Sequence, residues 1–220
     1  MGVREVEVHD RYLGLPTMVG RSKKGITRGV KEKLWKKLQR WKGMVLSKAG
    51  REVMIKAVAQ SLPTYAMSVF KFPSSFCDEL RSLVAQFWWG QKQGERKIHW
   101  VSCKKLCRPK EEGGLGFRDF KLFNWALLGK QAWRLIQKPG SLLEQLLRAR
   151  YYPSSSFMAA ELGTLPSYTW RGIWEAKWVV RRGMRWRVGN GKEFGFGRIL
   201  GSRILNRGGF YHLGETQTLT

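Results

Sequence analysis

Residues 11–56 read RYLGLPTMVGRSKKGITRGVKEKLWKKLQRWKGMVLSKAGREVMIK, and the rest of the chain is interpreted against this stretch. It opens with a compact apolar turn, Tyr12-Leu13-Gly14-Leu15-Pro16. Over residues 21–56, thirteen Lys or Arg stand against two acids, Glu32 and Glu52. Val30, Leu34, Leu38 and Trp41 recur at the spacing that puts them on one side of an α-helix spanning residues 29–43. At about 100° per residue, Lys33, Lys36 and Arg40 gather on the opposite side. One face can enter a core while the other presents a cationic row. A single basic helix is equally readable as a solvated surface. The charge of the whole chain favours a polyanionic partner, with Lys23, Lys24, Arg28, Lys33, Lys36 and Arg40 as candidate contacts.

The 220 residues are 43% apolar with eleven Trp and eleven Phe, enough for the core of one large domain or two small ones and too much for a disordered tail. A net charge of +25 and a pI near 10.6 imply strong self-repulsion unless something negative neutralises it. Nucleic acid is the expected partner, bound through its phosphate backbone, because each neutralised phosphate releases condensed counterions. Acidic lipid is the competing polyanion, but no apolar run approaches the ~20 residues that span a bilayer. The start, MGVREVEVHD, lacks the apolar core of a secretory signal, and Met1-Gly2 with Val6 is a poor myristoylation match. The expected location is intracellular, nuclear or cytoplasmic, with no membrane partner. Cys77, Cys103 and Cys107 do not make a disulfide framework, which agrees with a reducing compartment.

After the basic helix, Ser47 is an N-cap for a helical pattern through Val53, Ala57 and Val58. Tyr65, Met67, Val69 and Phe70 continue an apolar stretch that Pro73 stops. Ser75 with Asp78 resembles a capping box for a helix burying Phe76, Leu80, Leu83, Val84 and Phe87 and stopped by Gly90. Residues 91–116 are Gly- and Pro-rich, with a strand-like Ile98-His99-Trp100-Val101. Asp119 caps a long amphipathic helix from Phe120 toward Trp133 and Ile136, and Ser141 with Glu144 has true capping-box spacing for the next. A loop over 153–166 leads to a helix carrying Trp170, Ile173, Trp174 and Trp178, capped by Ser167 or Thr169. Met184, Trp186 and Val188 then alternate with Arg185 and Arg187 before Gly189-Asn190-Gly191, which predicts a small β-hairpin. Beyond Phe196 no period is consistent, and a loose tail is expected.

Several patterns invite a chemical reading. His99, Cys103 and Cys107 stand four residues apart, but three ligands fall short of a structural zinc site, and partly buried side chains are the expectation. Gly113-Gly114-Leu115-Gly116 lacks the Lys-Ser/Thr of a P-loop and reads as a turn. The acidic pairs Asp78-Glu79 and Glu111-Glu112 have no further acids nearby in sequence, as a two-metal site would require. No serine lies in a nucleophile elbow. Most Trp fall at helical spacing with Leu, Val and Phe and read as core, whereas Trp186, between Arg185 and Arg187, is the candidate for stacking on a base.

The collinear blocks YLGLP, WKGMVLSKAGREVMIKAVAQSLPTYAMSVFKFP, FWWG, KIHWVSCKKLCRPKEEGGLGFRDF, LFNWALLGKQAWRL, RARYYP, SYTWRGI and GMRWRVGNGK resemble plant LINE-type (non-LTR) retrotransposon reverse transcriptases, in the region downstream of the polymerase palm. The resemblance covers about residues 11–196. It implies a mainly α fold: a helical thumb-like bundle, a second helical half and a small β-hairpin near the C-terminus. Residues 1–20 would be the end of the reverse-transcriptase domain, 21–93 the basic thumb-like region, 94–118 a connector, 119–183 a second helical region, 184–197 the hairpin and 198–220 a divergent tail. The family's RNA-directed DNA polymerase activity uses Mg2+ on a Phe/Tyr-x-Asp-Asp motif, and no such motif occurs in residues 1–220. The expectation is therefore a fragment without catalytic or metal-binding residues and without a cofactor, with the absent palm and fingers as its packing partner. Where the family continues toward Ile-Trp-x-Asp-x-Trp and a zinc-binding segment, this chain reads EFGFGRILGSRILNRGG, as a shifted reading frame would produce. The alternatives are an interaction or scaffold domain derived from such an element, an enzyme remnant, and a decayed fragment without a selected role.

Overall fold

In the computed structural model the described residues are 11–12, 15–16, 24–90, 98–184, 186–187, 204–206 and 209–211, with side chains over 25–90 and 98–184. The apolar turn appears as β1 (Arg11–Tyr12) and β2 (Leu15–Pro16), antiparallel with Tyr12 opposite Leu15, and β2 lies against the basic helix. That helix, α1, runs Lys24–Lys42 and buries Ile26, Val30, Leu34, Leu38 and Trp41. Ser47 caps α2 (Lys48–Met54), its hydroxyl accepting from the Gly50 amide at 3.1 Å.

The expected apolar face of α2 is corrected. The helix continues as a π turn, Ile55–Ala59, which buries Ile55 and Ala59 and leaves Val53 62% exposed. Val53 lies two residues before Ile55, about 200° around the helix, and so faces away from the buried side. Next come α3 (Thr64–Val69) and α4 (Ser74–Trp88). The Ser75-Asp78 capping box does not form: α4 begins behind Pro73 without a side-chain cap, and Asp78 pairs with Arg81 at 2.6 Å. Gly90 ends the helix at φ 66°, and a Cβ there would sit 2.6 Å from Arg51 Nη1, so both conformation and space favour glycine.

Ile98-His99-Trp100-Val101 forms no strand. Among the described residues they find no partner strand, and Ile98 and Trp100 stand in solvent instead. The short α5 (Cys103–Leu106) follows, capped by Ser102, and then a 3-10 turn at Lys110–Glu112. Leu106 and Phe117 belong to the same apolar cluster as α1 to α4, with Val101 and Leu115 packed against it. Leu34, Ile55, Met67 and Leu80 are fully buried at its centre, each contributing roughly 1.5–3 kcal/mol of transfer free energy.

The long helix α6, Phe120–Gln137, is capped as expected, Asp119 Oδ1 accepting from the Lys121 amide at 2.8 Å and the Leu122 amide at 3.2 Å. Its N-terminal half joins the first cluster through Phe120, while Ala132 and Leu135 belong to a second. That second cluster also takes residues from α7 (Leu142–Tyr151), α8 (Tyr168–Glu175) and α9 (Lys177–Gly183). Ser141 caps α7 by accepting from the Glu144 amide at 3.4 Å, and the Glu144 carboxylate reaches back to the Gly140 amide at 3.2 Å. Ser167 caps α8. Gly129 lets α9 approach α6, since a Cβ there would meet Val179 Cγ1 at 3.0 Å.

Two polar clasps join the halves. Asn124, buried on α6, donates to the Met67 and Phe70 carbonyls at 2.7 and 2.9 Å and accepts from the Phe72 amide at 2.8 Å. Lys71 lies 4.6 Å from the Trp125 ring and pairs with Glu175, while the Tyr168 hydroxyl donates to the Lys71 carbonyl.

The fold is mainly α, as expected. The β-hairpin predicted over 184–197 is not seen. Trp186–Arg187 forms a short strand, β3, paired in parallel with β4 (Ile204–Asn206), whereas a hairpin partner would be antiparallel. Residues 185 and 188–197 lie outside the described residues. β4 is antiparallel to β5, Gly209–Tyr211.

Candidate nucleic-acid interface

The helix α1 has one acid, Glu32, in nineteen residues, so it presents cations wherever it meets water. Lys33, Lys36, Lys37 and Arg40 are all exposed, and their i, i+3, i+4, i+7 spacing aligns them as one stripe along the helix. Lys37 extends the row read from the sequence and was missed as a contact because its angle places it near the edge of the apolar face.

Two neighbouring cations are used within the fold. Arg28 Nε donates to Glu32 Oε1 at 2.8 Å, and Lys31 Nζ donates to Glu79 Oε2 on α4 at 2.6 Å. The Lys31 flank is therefore turned toward α4, and the stripe occupies the other flank. Of the remaining expected contacts, Lys24 begins α1, but its side chain and all of Lys23 lie outside the described residues. Arg185 lies outside them too, as do the side chains of Trp186 and Arg187.

A second concentration of positive charge is seated against α2. Glu52 accepts from Lys56 at 2.7 Å and sits 3.6 Å from Lys110. Its carboxyl is held below the ordinary range chiefly by the Lys56 hydrogen bond and the nearby ammonium charges, against a partial opposing effect of burial. Lys104, Lys105, Arg108 and Lys110 are all exposed along α5 and the turn that follows it. Side chains of this type, on a rigid frame and with few acids between them, suit phosphate oxygens and carry no means of reading base edges.

No family model matches the chain. It is 48% identical over 132 residues to the uncharacterized mitochondrial protein AtMg00310 of Arabidopsis thaliana, an alignment covering 60% of this chain and 86% of that protein. This chain belongs to the AtMg00310 family. It is also 32% identical over 194 residues to the Arabidopsis thaliana protein named "Putative ribonuclease H protein At1g65750", covering 83% of this chain and 30% of that protein's length.

In this member of the AtMg00310 family, the acidic pairs do not suit a two-metal centre. Asp78 is taken by Arg81 and Glu79 by Lys31, while Glu111 and Glu112 lie exposed at the 3-10 turn. Among the described residues no group of three His, Cys, Asp or Glu is placed to hold a metal ion. Cys77, Cys103 and Cys107 are free thiols. Burial, with Asp119 adding to it, pushes Cys77 and Cys107 up to about 11, which makes both poor nucleophiles. Among the described residues no helix is long and apolar enough to cross a membrane.

Proposed function

We propose that this AtMg00310-family chain is a non-catalytic, thumb-like segment of a LINE-type retrotransposon reverse transcriptase that holds RNA, DNA or their hybrid by the phosphate backbone. The observation that carries this reading is the exposed stripe of Lys33, Lys36, Lys37 and Arg40 on a helix whose other face is sealed into a core. A stripe of this kind follows a nucleic-acid backbone irrespective of sequence, as a polymerase thumb must when it tracks template and primer. The alignment with a much longer relative named for ribonuclease H accords with one segment of a multi-part protein acting on nucleic acid. In that setting the packing partner is a palm-and-fingers unit. The Mg2+ chemistry of polymerisation belongs to that unit, and this chain contributes grip.

Reversing Lys33, Lys36 and Arg40 to Glu tests the reading directly. Affinity should fall for every sequence alike, and the slope of log K against log salt should flatten by about 2–3. Unchanged affinity and slope would overturn it. Incubation of the chain with Mg2+, template-primer and nucleotides should give no extension, and extension would overturn the non-catalytic assignment.

A further inference from the structure

The segment 98–102 turns an aromatic ring outward between two anchored neighbours. Trp100 is 79% exposed, the most exposed tryptophan among the described residues. On one side, the His99 ring stacks on Trp89 with centroids 5.9 Å apart and planes at 19°. On the other, Val101 packs against the first core, and Ser102 fixes the start of α5 by accepting from the Lys105 amide at 3.3 Å. An indole held this way leaves about 200 Å² of apolar surface in water, and it has few backbone degrees of freedom to lose on binding.

The chemistry around it is cationic. A cleft of about 350 Å³ opens beside the segment, lined by His99, Ser102 and Lys104 from this side and by Asp78, Arg81 and Ser82 from α4. The one carboxylate in that lining, Asp78, is paired with Arg81 at 2.6 Å. Exposed Lys104, Lys105, Arg108 and Lys110 follow Trp100 within ten residues.

We infer that Trp100 is a stacking platform for an unpaired base, and that the cleft beside it, with Lys104 at its edge, takes the adjoining sugar-phosphate of a single-stranded nucleic acid. A free indole face has its best partner in an unstacked base, because the faces inside a duplex are already occupied by neighbouring pairs. The surrounding amines supply charge complementarity without sequence preference. The inference rests on the proposed nucleic-acid grip and adds a preference for single strands that α1 alone does not confer.

The test compares Trp100→Ala, Trp100→Phe and the Lys33/Lys36/Arg40→Glu variant of the full chain. Each is titrated with a labelled single strand of about twelve nucleotides, within the span one such site covers, and with a blunt duplex of the same sequence. Trp100→Ala should weaken single-strand binding about ten-fold, leave duplex binding and both salt slopes unchanged, and keep the wild-type melting temperature. Trp100→Phe should retain most of the single-strand affinity. Equal loss on both ligands, or no loss on either, while the α1 variant still weakens binding, would overturn the stacking site alone. Failure of the wild-type chain to bind either ligand would overturn the stacking site and the grip together.

Discussion

The two apolar clusters differ in what is done with the polar atoms around them. The first, under α1 to α4, mixes aliphatic residues with aromatic pairs such as Trp41–Phe87 and Phe72–Phe76, and reaches the surface through a helix with a cationic outer flank. The second is built on an aromatic stack. Trp170 is fully buried, stacked nearly parallel on Tyr151 at 4.7 Å, with Tyr152 at 5.7 Å and Phe157 edge-on at 6.0 Å. Its polar atoms are turned to internal use: the Trp170 and Trp174 indoles donate to the Leu162 and Ala160 carbonyls at 3.0 and 2.9 Å, and the Lys177 amine also donates to Ala160. Lys33, Lys36, Lys37 and Arg40 of α1 are exposed, whereas the Trp170, Trp174 and Lys177 donors tie down the loop over 153–166.

That contrast can be broken at several points. Trp170→Ala should be the most damaging, costing about 3–5 kcal/mol by emptying the aromatic stack, read as a drop in the denaturant midpoint. Asn124→Ala comes next at roughly 2–4 kcal/mol, because it leaves a buried amide and two carbonyls without their side-chain partner. If the halves are joined as described, circular dichroism and tryptophan fluorescence should still report one transition in that variant.

Lys177→Met has a smaller, pH-dependent effect. Burial, assisted by the Arg181 charge, lowers the Lys177 amine from 10.5 to about 8. Between those values the unfolded chain binds a proton that the folded chain lacks, so this group makes stability rise with pH through that window. Melting curves taken from pH 8 to 10.5 should show that rise reduced in Lys177→Met relative to wild type. Reversing Lys33, Lys36 and Arg40 should move stability least, within about 0.5 kcal/mol per exposed site, while abolishing most nucleic-acid affinity. A large loss of stability in that variant would erase the distinction between the halves.

The cationic stripe and the face beneath it were legible because α1 follows a plain 3.6-residue pattern with aliphatic residues on one side. The caps at Ser47, Asp119, Ser141 and Ser167 were legible for a similar reason, since each is decided by a side chain and the next turn of the same segment. Elements that depend on distant partners were not. The Ser75-Asp78 spacing was correct for a capping box, but Arg81 claimed the carboxylate and Pro73 set the start of the helix. The π turn over Ile55–Ala59 follows from packing against α4 and α1, and no residue in it announces an extra position. Ile98 to Val101 had the composition of a strand without a second strand to pair with. Trp100 sits in that run, and only the fixed positions of His99 and Val101 reveal that it stands outside.

One consequence of α6 bears on how this protein can be divided. Its eighteen residues reach about 27 Å at 1.5 Å per residue, entering one cluster at Phe120 and leaving the other beyond Leu135. A gene product cut just before that helix would keep the whole basic stripe yet lose Phe120 and Asn124, the residues that close the floor under α3 and α4. The smallest portable unit is thus set by a strut far along the sequence from the stripe, and a domain border drawn by charge alone would separate the stripe from its support.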